Sequence, residues 1–178
     1  SFPTRRSSDL MVALGAIAYI PSIIACISDS LYALAVIDTL AYVVLLIVFF
    51  YPRTSYRLRL FTTVFTTLIL GAAVLLQTGT DVAGHIWLIC AVFIAALFGQ
   101  KSFTILTIVF TQATVLLYSV LNITGVIGHD VSLISIFAIG TNMLLISIAL
   151  ALITYHLLKA LQQEVRGQEE ALKLLDHR

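Results

Sequence analysis

The chain has 178 residues, of which 60% are hydrophobic and only 11% are charged, and its formal net charge is +1. Soluble domains are nearer to half apolar and a quarter charged, so this composition excludes an ordinary water-soluble domain and predicts a protein embedded in lipid. The near-neutral charge gives no support to nucleic-acid binding, which relies on basic surfaces. We therefore expect a polytopic, all-α membrane protein whose surroundings are the lipid bilayer.

The first residues are treated separately from the rest of the chain. The stretch SFPTRRSSDL resembles the translation of a sequencing adapter, so we expect residues 1–9 to be a non-native leader and exclude them from the topology. On the same interpretation, the sequence is a piece of a longer gene.

Six apolar stretches follow, most of them close to the roughly 17–25 residues that a helix needs to cross a bilayer. Backbone polar groups in hydrocarbon must be satisfied internally, and the stretches do not alternate apolar with polar residues, so they predict helices and not barrel strands. The fourth stretch is the shortest, and its helix could start within the preceding loop. The stretches are Leu10–Ile27, Leu31–Tyr51, Leu60–Leu76, His85–Gly99, Phe103–Leu121 and Val131–Tyr155.

Lysine and arginine occupy alternate connections between these stretches. Arg53, Arg57 and Arg59 lie between the second and third stretches, Lys101 lies between the fourth and fifth, and Lys159 follows the sixth. The remaining connections contain neither residue. Because basic loops stay in the cytoplasm, this pattern predicts six transmembrane helices with both ends inside, N-in and C-in.

The last apolar stretch continues without proline into a polar segment, residues 157–178. Within it, six residues recur at a 3-4-3-4-3 spacing, which is typical of the a and d positions of a coiled coil. These predicted seam positions are Leu158, Leu161, Val165, Gln168, Leu172 and Leu175. We favour a parallel homodimer over a single helix lying on the inner leaflet, because the segment is poor in the lysine and arginine that the second role needs.

This coiled coil is expected to be marginal by itself. Its seam is shorter than the three to four heptads that identify a coiled coil firmly. Gly167, in the middle of the segment, costs a helix about 1 kcal/mol relative to alanine. The coil should therefore depend on the membrane bundle, or on a following domain, to hold it together.

Polar residues within the apolar stretches suggest one candidate site. Asp38 is the only carboxylate well inside a stretch, and a charge there costs at least about 2.5 kcal/mol, so we expect it to be protonated or paired. Counted from the outer ends of their helices, at a rise of about 1.5 Å per residue, Gln112 and Asn142 are predicted to lie at a similar depth in the membrane. The three could sense protons or a ligand, or they could form ordinary interhelical hydrogen bonds. The second interpretation is favoured.

A second candidate site lies in the predicted outer connections. Besides Asp29, these hold two carboxylates and two histidines, the side chains that titrate or bind metals near neutral pH. They are Asp81, His85, His129 and Asp130. No spacing among them is specific to a metal, so a solvated loop is the favoured interpretation. We predict no resident metal and no catalytic residue in the chain.

The stretch from PRTSYRLR through LILGAAVLLQTGTDVAGHIWLICAVFIAALFGQKSFTILTIVF resembles the multi-helix N-terminal membrane sensor region of bacterial sensor histidine kinases. The similarity covers about residues 53–175. It is carried by a basic inner loop, a glycine-containing outer loop and a Gly–Lys turn, at Tyr56, Arg57, Arg59, Gly79, Gly84, Gly99 and Lys101. The resemblance implies a sensor domain at residues 10–156 and a cytoplasmic signalling helix at residues 157–178, in the bacterial inner membrane.

The resemblance also implies partners and cofactors outside this sequence. PAS and kinase domains would follow the coil, the kinase would use ATP and Mg²⁺, and a response regulator would act downstream. A diguanylate cyclase as the output domain and a small transporter-like protein are the alternatives. A transporter would be expected to have broken helices and charged midplane residues, of which Asp38 is the only one here.

Overall fold

The computed structural model describes residues 19–51, 53–79, 82–98, 101–128 and 131–176. Within these ranges the chain forms six helices joined by short connections and contains no strand, which confirms the predicted all-α class. The predicted leader lies outside the described residues. The helices are α1 (described over Tyr19–Ser28), α2 (Tyr32–Phe50), α3 (Tyr56–Thr78), α4 (Val82–Phe98), α5 (Lys101–Ile123) and α6 (Leu133–Asp176).

Several helices begin at residues other than those predicted from hydropathy, because capping residues help to set where a helix starts. The Ser55 hydroxyl accepts a hydrogen bond from the Leu58 backbone N–H at 3.3 Å and caps α3. The Ser132 hydroxyl accepts one from the Ser135 N–H at 3.2 Å at the start of α6. Helix α4 begins at Val82, within the preceding loop, as the short fourth stretch allowed.

Four of the described helices are long and apolar enough to cross a membrane: Tyr32–Phe50, Tyr56–Thr78, Lys101–Ile123 and Ile134–Gln168. Tyr19–Ser28 and Ala83–Phe98 are apolar but shorter. The outer surfaces of the helices carry large exposed apolar side chains, such as Phe137 at 77%, which suit hydrocarbon better than water. The chain is therefore a membrane protein with several helices capable of spanning the bilayer.

Helix α4 lies at the centre of the bundle and packs against α3, α5 and α6. Its side chains at Leu88, Ala91, Val92 and Ala95 are completely buried. Two of these four are alanine, and small side chains let helices approach closely in a membrane, where association relies on close packing and not on the hydrophobic effect. The shortest apolar stretch of the sequence thus forms the most enclosed helix.

Side chains from four helices meet in the main core cluster, which comprises Leu75, Leu88, Val115, Tyr118 and Met143. Helices α3, α4, α5 and α6 each contribute to it. A second cluster joins α1 and α2 to α3, so α2 lies at the edge of the bundle. Displacing any one of the four central helices would consequently disturb the other three.

Two glycines permit the close approach of α3 and α4. A Cβ atom added at Gly84 would lie 2.8 Å from the backbone nitrogen of Leu75 and 2.9 Å from its Cα atom. One added at Gly71 would lie 2.9 Å from side-chain atoms of Leu88. Real Cβ atoms are not found at such distances, so a side chain at either position would push the helices apart.

We predict that Gly84→Ala lowers the thermal unfolding midpoint of the purified chain in detergent. The new methyl group would clash with backbone atoms of Leu75, which cannot rotate away as a side chain can. Overpacking of this kind costs about 1–3 kcal/mol. The matched control is Gly128→Ala, near the same end of the bundle, where an added Cβ has no atom within 4 Å. Equal midpoints for the two variants would contradict the close α3–α4 packing.

Candidate functional site

The antiparallel helices bring the basic connections of the chain together at one end of the bundle, here called the basic end. There the Tyr56 hydroxyl donates a hydrogen bond to the Phe98 carbonyl at 3.1 Å, which joins the start of α3 to the end of α4. The Lys101 ammonium lies 4.3 Å from the centroid of the Tyr155 ring, which joins the start of α5 to α6. Cation–π contacts are worth about 0.5–1 kcal/mol at exposed sites.

Helix α6 runs without interruption for 44 residues, from Leu133 to Asp176. At about 1.5 Å per residue it is roughly 66 Å long, about twice the thickness of the hydrocarbon core of a bilayer. Gly167 does not break it. The polar C-terminal segment is therefore a direct extension of the apolar helix, with no hinge residue between them.

One face of α6 continues from the part within the bundle into the polar segment. Within the bundle, Ser147 and Thr154 are buried, at 0% and 3% exposure. Leu161 and Gln168 follow at the same seven-residue interval, and on a slightly twisted helix such residues form one stripe. The face that packs inside the bundle thus continues into the predicted seam.

The seam positions are accessible in the single chain. Leu161 and Val165 are 49% and 54% exposed, Gln168 is exposed, and Leu158 is half-buried. Leu172 and Leu175 lie within α6, but their side chains are outside the described part of the structure. The exposed side chains of Leu161 and Val165 are available to a partner helix, and the coiled coil itself stays a prediction.

The structure places the three predicted polar-layer residues in different environments. Asp38 is buried beside Leu34 and Ala41 on α2, and one of its carboxylate oxygens has no hydrogen-bond partner among the described residues. Gln112 is half-buried on α5, whereas Asn142 is exposed on α6.

Within the described ranges, α2 packs against α3 and contacts neither α5 nor α6. A single copy of the chain therefore does not bring Asp38 beside Gln112 or Asn142. Their common depth in the membrane stays a prediction, because residues at one depth need not be neighbours.

Of the predicted outer site, only His85 is described; Asp81, His129 and Asp130 lie outside the described residues. His85 is half-buried near the start of α4. The described residues contain no group of three or more histidine, cysteine or acidic side chains that could hold a metal. The hypothesis of a pH or metal site stays a prediction.

Two buried hydroxyls lie on neighbouring helices, and the sequence reasoning missed one of them, that of Ser147. Thr111 on α5 and Ser147 on α6 are both completely buried, and their hydroxyls have no hydrogen-bond partner among the described residues. The two helices pack against each other. For Ser147 the available signal was its position seven residues before Thr154 and fourteen before Leu161, in register with the seam.

The fold and this arrangement define an all-helical membrane protein with a long terminal helix that projects beyond the bundle. A comparison with protein-family models identifies the family: the MASE11 model matches residues 8–161. The chain belongs to the MASE11 family. MASE domains are membrane-associated sensory domains, so this chain is a membrane sensory domain. The comparisons with curated proteins and with solved structures found no match.

Substitutions at Ser147 should show whether the buried face of α6 is closely packed. We predict that Ser147→Ala changes the free energy of unfolding by less than about 1 kcal/mol, because no hydrogen bond is lost. Ser147→Leu should lower it by about 1–3 kcal/mol through overpacking. Thermal or denaturant unfolding in detergent measures both values. A Leu variant as stable as the Ala variant would show that α6 is loosely packed at this level.

Proposed function

We propose that this chain is the signal-input and dimerisation module of a bacterial sensor histidine kinase in the inner membrane. In this proposal the chain has six transmembrane spans, both of its ends are cytoplasmic, and its last helix pairs in parallel with that of a second copy. The observation that carries the proposal is the continuity of α6 from the apolar bundle to Asp176.

The proposed orientation rests on the basic end. There Tyr56 contacts Phe98 and Lys101 contacts Tyr155, which joins parts of the chain that are distant in sequence. Within the α2–α3 connection, Arg59 donates a hydrogen bond to the Tyr51 carbonyl at 3.4 Å. Arg53 and Arg57 lie beside the same connections. Because lysine and arginine favour the cytoplasmic side, we orient this end toward the cytoplasm, and the polar part of α6 then extends into the cytosol.

The proposed mechanism uses the single stripe on α6. A stimulus that alters packing around Ser147 or Thr154 would rotate or slide the helix against α4 and α5. The same movement would reorient Leu161 and Gln168, which lie on that stripe, in the dimer seam. Packed helices transmit such small shifts because their interfaces switch between discrete arrangements and do not deform continuously.

The output domain distinguishes the kinase from its alternatives. Reading the native gene beyond Arg178 tests the assignment directly. An HExxTP-like box followed by an ATP-binding domain would support a kinase that uses ATP and Mg²⁺ and signals to a response regulator. A GGDEF-like run would replace the kinase with a diguanylate cyclase that uses the same membrane module, and a stop codon would overturn both.

We predict that Leu161→Cys forms an intermolecular disulfide in native membranes under mild oxidation, because d positions face each other in a parallel coiled coil. The background would carry alanine at Cys26 and Cys90, the two free cysteines. Gln163→Cys is the matched control: it is exposed on the same helix but occupies an outward f position. Non-reducing gels measure the covalent dimer.

A strong dimer band for Leu161→Cys and a weak one for Gln163→Cys would support the parallel seam. Equal bands would indicate random collision, and the absence of any band would overturn the dimerisation role.

A further inference from the structure

A cavity of about 710 Å³ opens at the basic end, between the end of α4, the start of α5 and the polar part of α6. Three cationic side chains line it, Lys101, Lys159 and Arg166, together with the amides of Gln162 and Gln163. No carboxylate is among the described residues that line it. Its volume is within the range of small-molecule sites, roughly 300–1,000 Å³, and its charge suits an anion.

The cations come from two different helices, and one of them is positioned by an aromatic ring. Lys101 lies over Tyr155, which also lines the cavity. On α6 the lining residues Tyr155, Lys159, Gln162 and Arg166 recur every three or four residues, so they share one face of the helix. An anion in the cavity would thus be held by α5 and α6 together.

A second cavity, of about 380 Å³, adjoins the first and shares Ala96, Lys101 and Tyr155 with it. Away from these shared residues it follows α5 and α6 toward the middle of the bundle and becomes apolar. Its apolar lining includes Ile105 and Ile108 of α5, and Ile148 and Leu152 of α6. The two cavities form a single groove with a cationic end and a hydrocarbon-like end.

We propose that this groove binds an anionic phospholipid of the inner leaflet. The phosphate would lie among Lys101, Lys159 and Arg166, and one acyl chain would lie along the four apolar residues between α5 and α6. A free phosphate would occupy only the cationic end. A phospholipid would place its headgroup at the cationic end and an acyl chain at the apolar end. The proposal rests on the orientation given in the proposed function, with the basic end at the cytoplasmic surface.

The lipid and most of the dimer seam would occupy different faces of α6, and of the seam positions only Leu158, at its start, also lines the cavity. Four lining residues project from one side of α6: Tyr155, Lys159, Gln162 and Arg166. At 3.6 residues per turn, this side is rotated by roughly 110° about the helix axis from the side that carries the seam residues. A bound lipid therefore leaves Leu161 and the seam positions after it free for a partner. By joining the polar part of α6 to the start of α5, it would also set the position of the seam relative to the bundle.

The test is native mass spectrometry of the purified 178-residue chain in detergent, with dioleoylphosphatidylglycerol, dioleoylphosphatidylcholine or glycerol 1-phosphate as the probe. We expect one phosphatidylglycerol to be retained in preference to phosphatidylcholine. Lys159→Gln and Arg166→Gln should each weaken its binding about fivefold, which is the contribution of one basic residue near an anionic lipid. Arg53→Gln is the matched control, since Arg53 is an exposed cation near the same end that does not line the groove.

The apolar end is tested by Ile148→Trp, which should reduce phosphatidylglycerol retention by filling the groove. Equal binding by Lys159→Gln, Arg166→Gln and Arg53→Gln would overturn the headgroup site. A different result would be that glycerol 1-phosphate displaces phosphatidylglycerol at similar concentrations while Ile148→Trp leaves retention unchanged. That result would overturn the lipid proposal and indicate a site for a soluble phosphate. Lipid retention is read separately on monomer and dimer peaks, so failure of dimerisation and failure of lipid binding are distinguishable.

Discussion

The internal hydrogen bonding of α6 is the constraint on which the rest of the structure depends. In hydrocarbon its backbone has no other partners, so the apolar part must be helical. An isolated helix of about 20 residues in water would pay a nucleation cost before its first turn formed. The polar part of α6 extends a helix that already exists and avoids that cost. This accounts for an unbroken helix to Asp176 despite Gly167.

The bundle in turn holds α6 in a defined rotational position. Helix α4 contacts α3, α5 and α6, and its buried alanines and the glycines of the α3–α4 pair leave little space between the helices. Because close-packed interfaces transmit small displacements, a disturbance of α3 or α4 would reach Ser147 and Thr154. At the basic end, the contact of Lys101 with Tyr155 links α5 to the same helix.

Much of this arrangement could be predicted from the sequence. Hydropathy located every described helix, and the heptad spacing predicted that α6 would continue past Tyr155. The pattern of basic residues predicted which connections would share an end of the bundle, and the contacts of Tyr56 with Phe98 and of Lys101 with Tyr155 agree with it. These features are local, or they repeat along the chain, so periodicity and charge reveal them.

Which helices are neighbours could not be predicted in the same way. Asp38, Gln112 and Asn142 were grouped by depth, but depth does not determine which helices pack together, and α2 contacts α3 instead of α5 or α6 within the described ranges. Ser147 carried no hydropathy signal of burial, because a single hydroxyl in an apolar helix can face lipid or a neighbour. The groove at the basic end depends on side chains from three helices and could be recognised only once they were assembled.

The continuity of α6 is tested most directly by the distance between spin labels at Ile134 and Glu164, both exposed on α6. The labels would be placed in the cysteine-free chain, diluted with unlabelled protein and measured by pulsed electron paramagnetic resonance in bilayers. A continuous helix predicts a narrow distribution near 45 Å for thirty residues, at about 1.5 Å per residue. A broad distribution, or one centred well below that distance, would show a break between membrane and cytosol and would contradict the account.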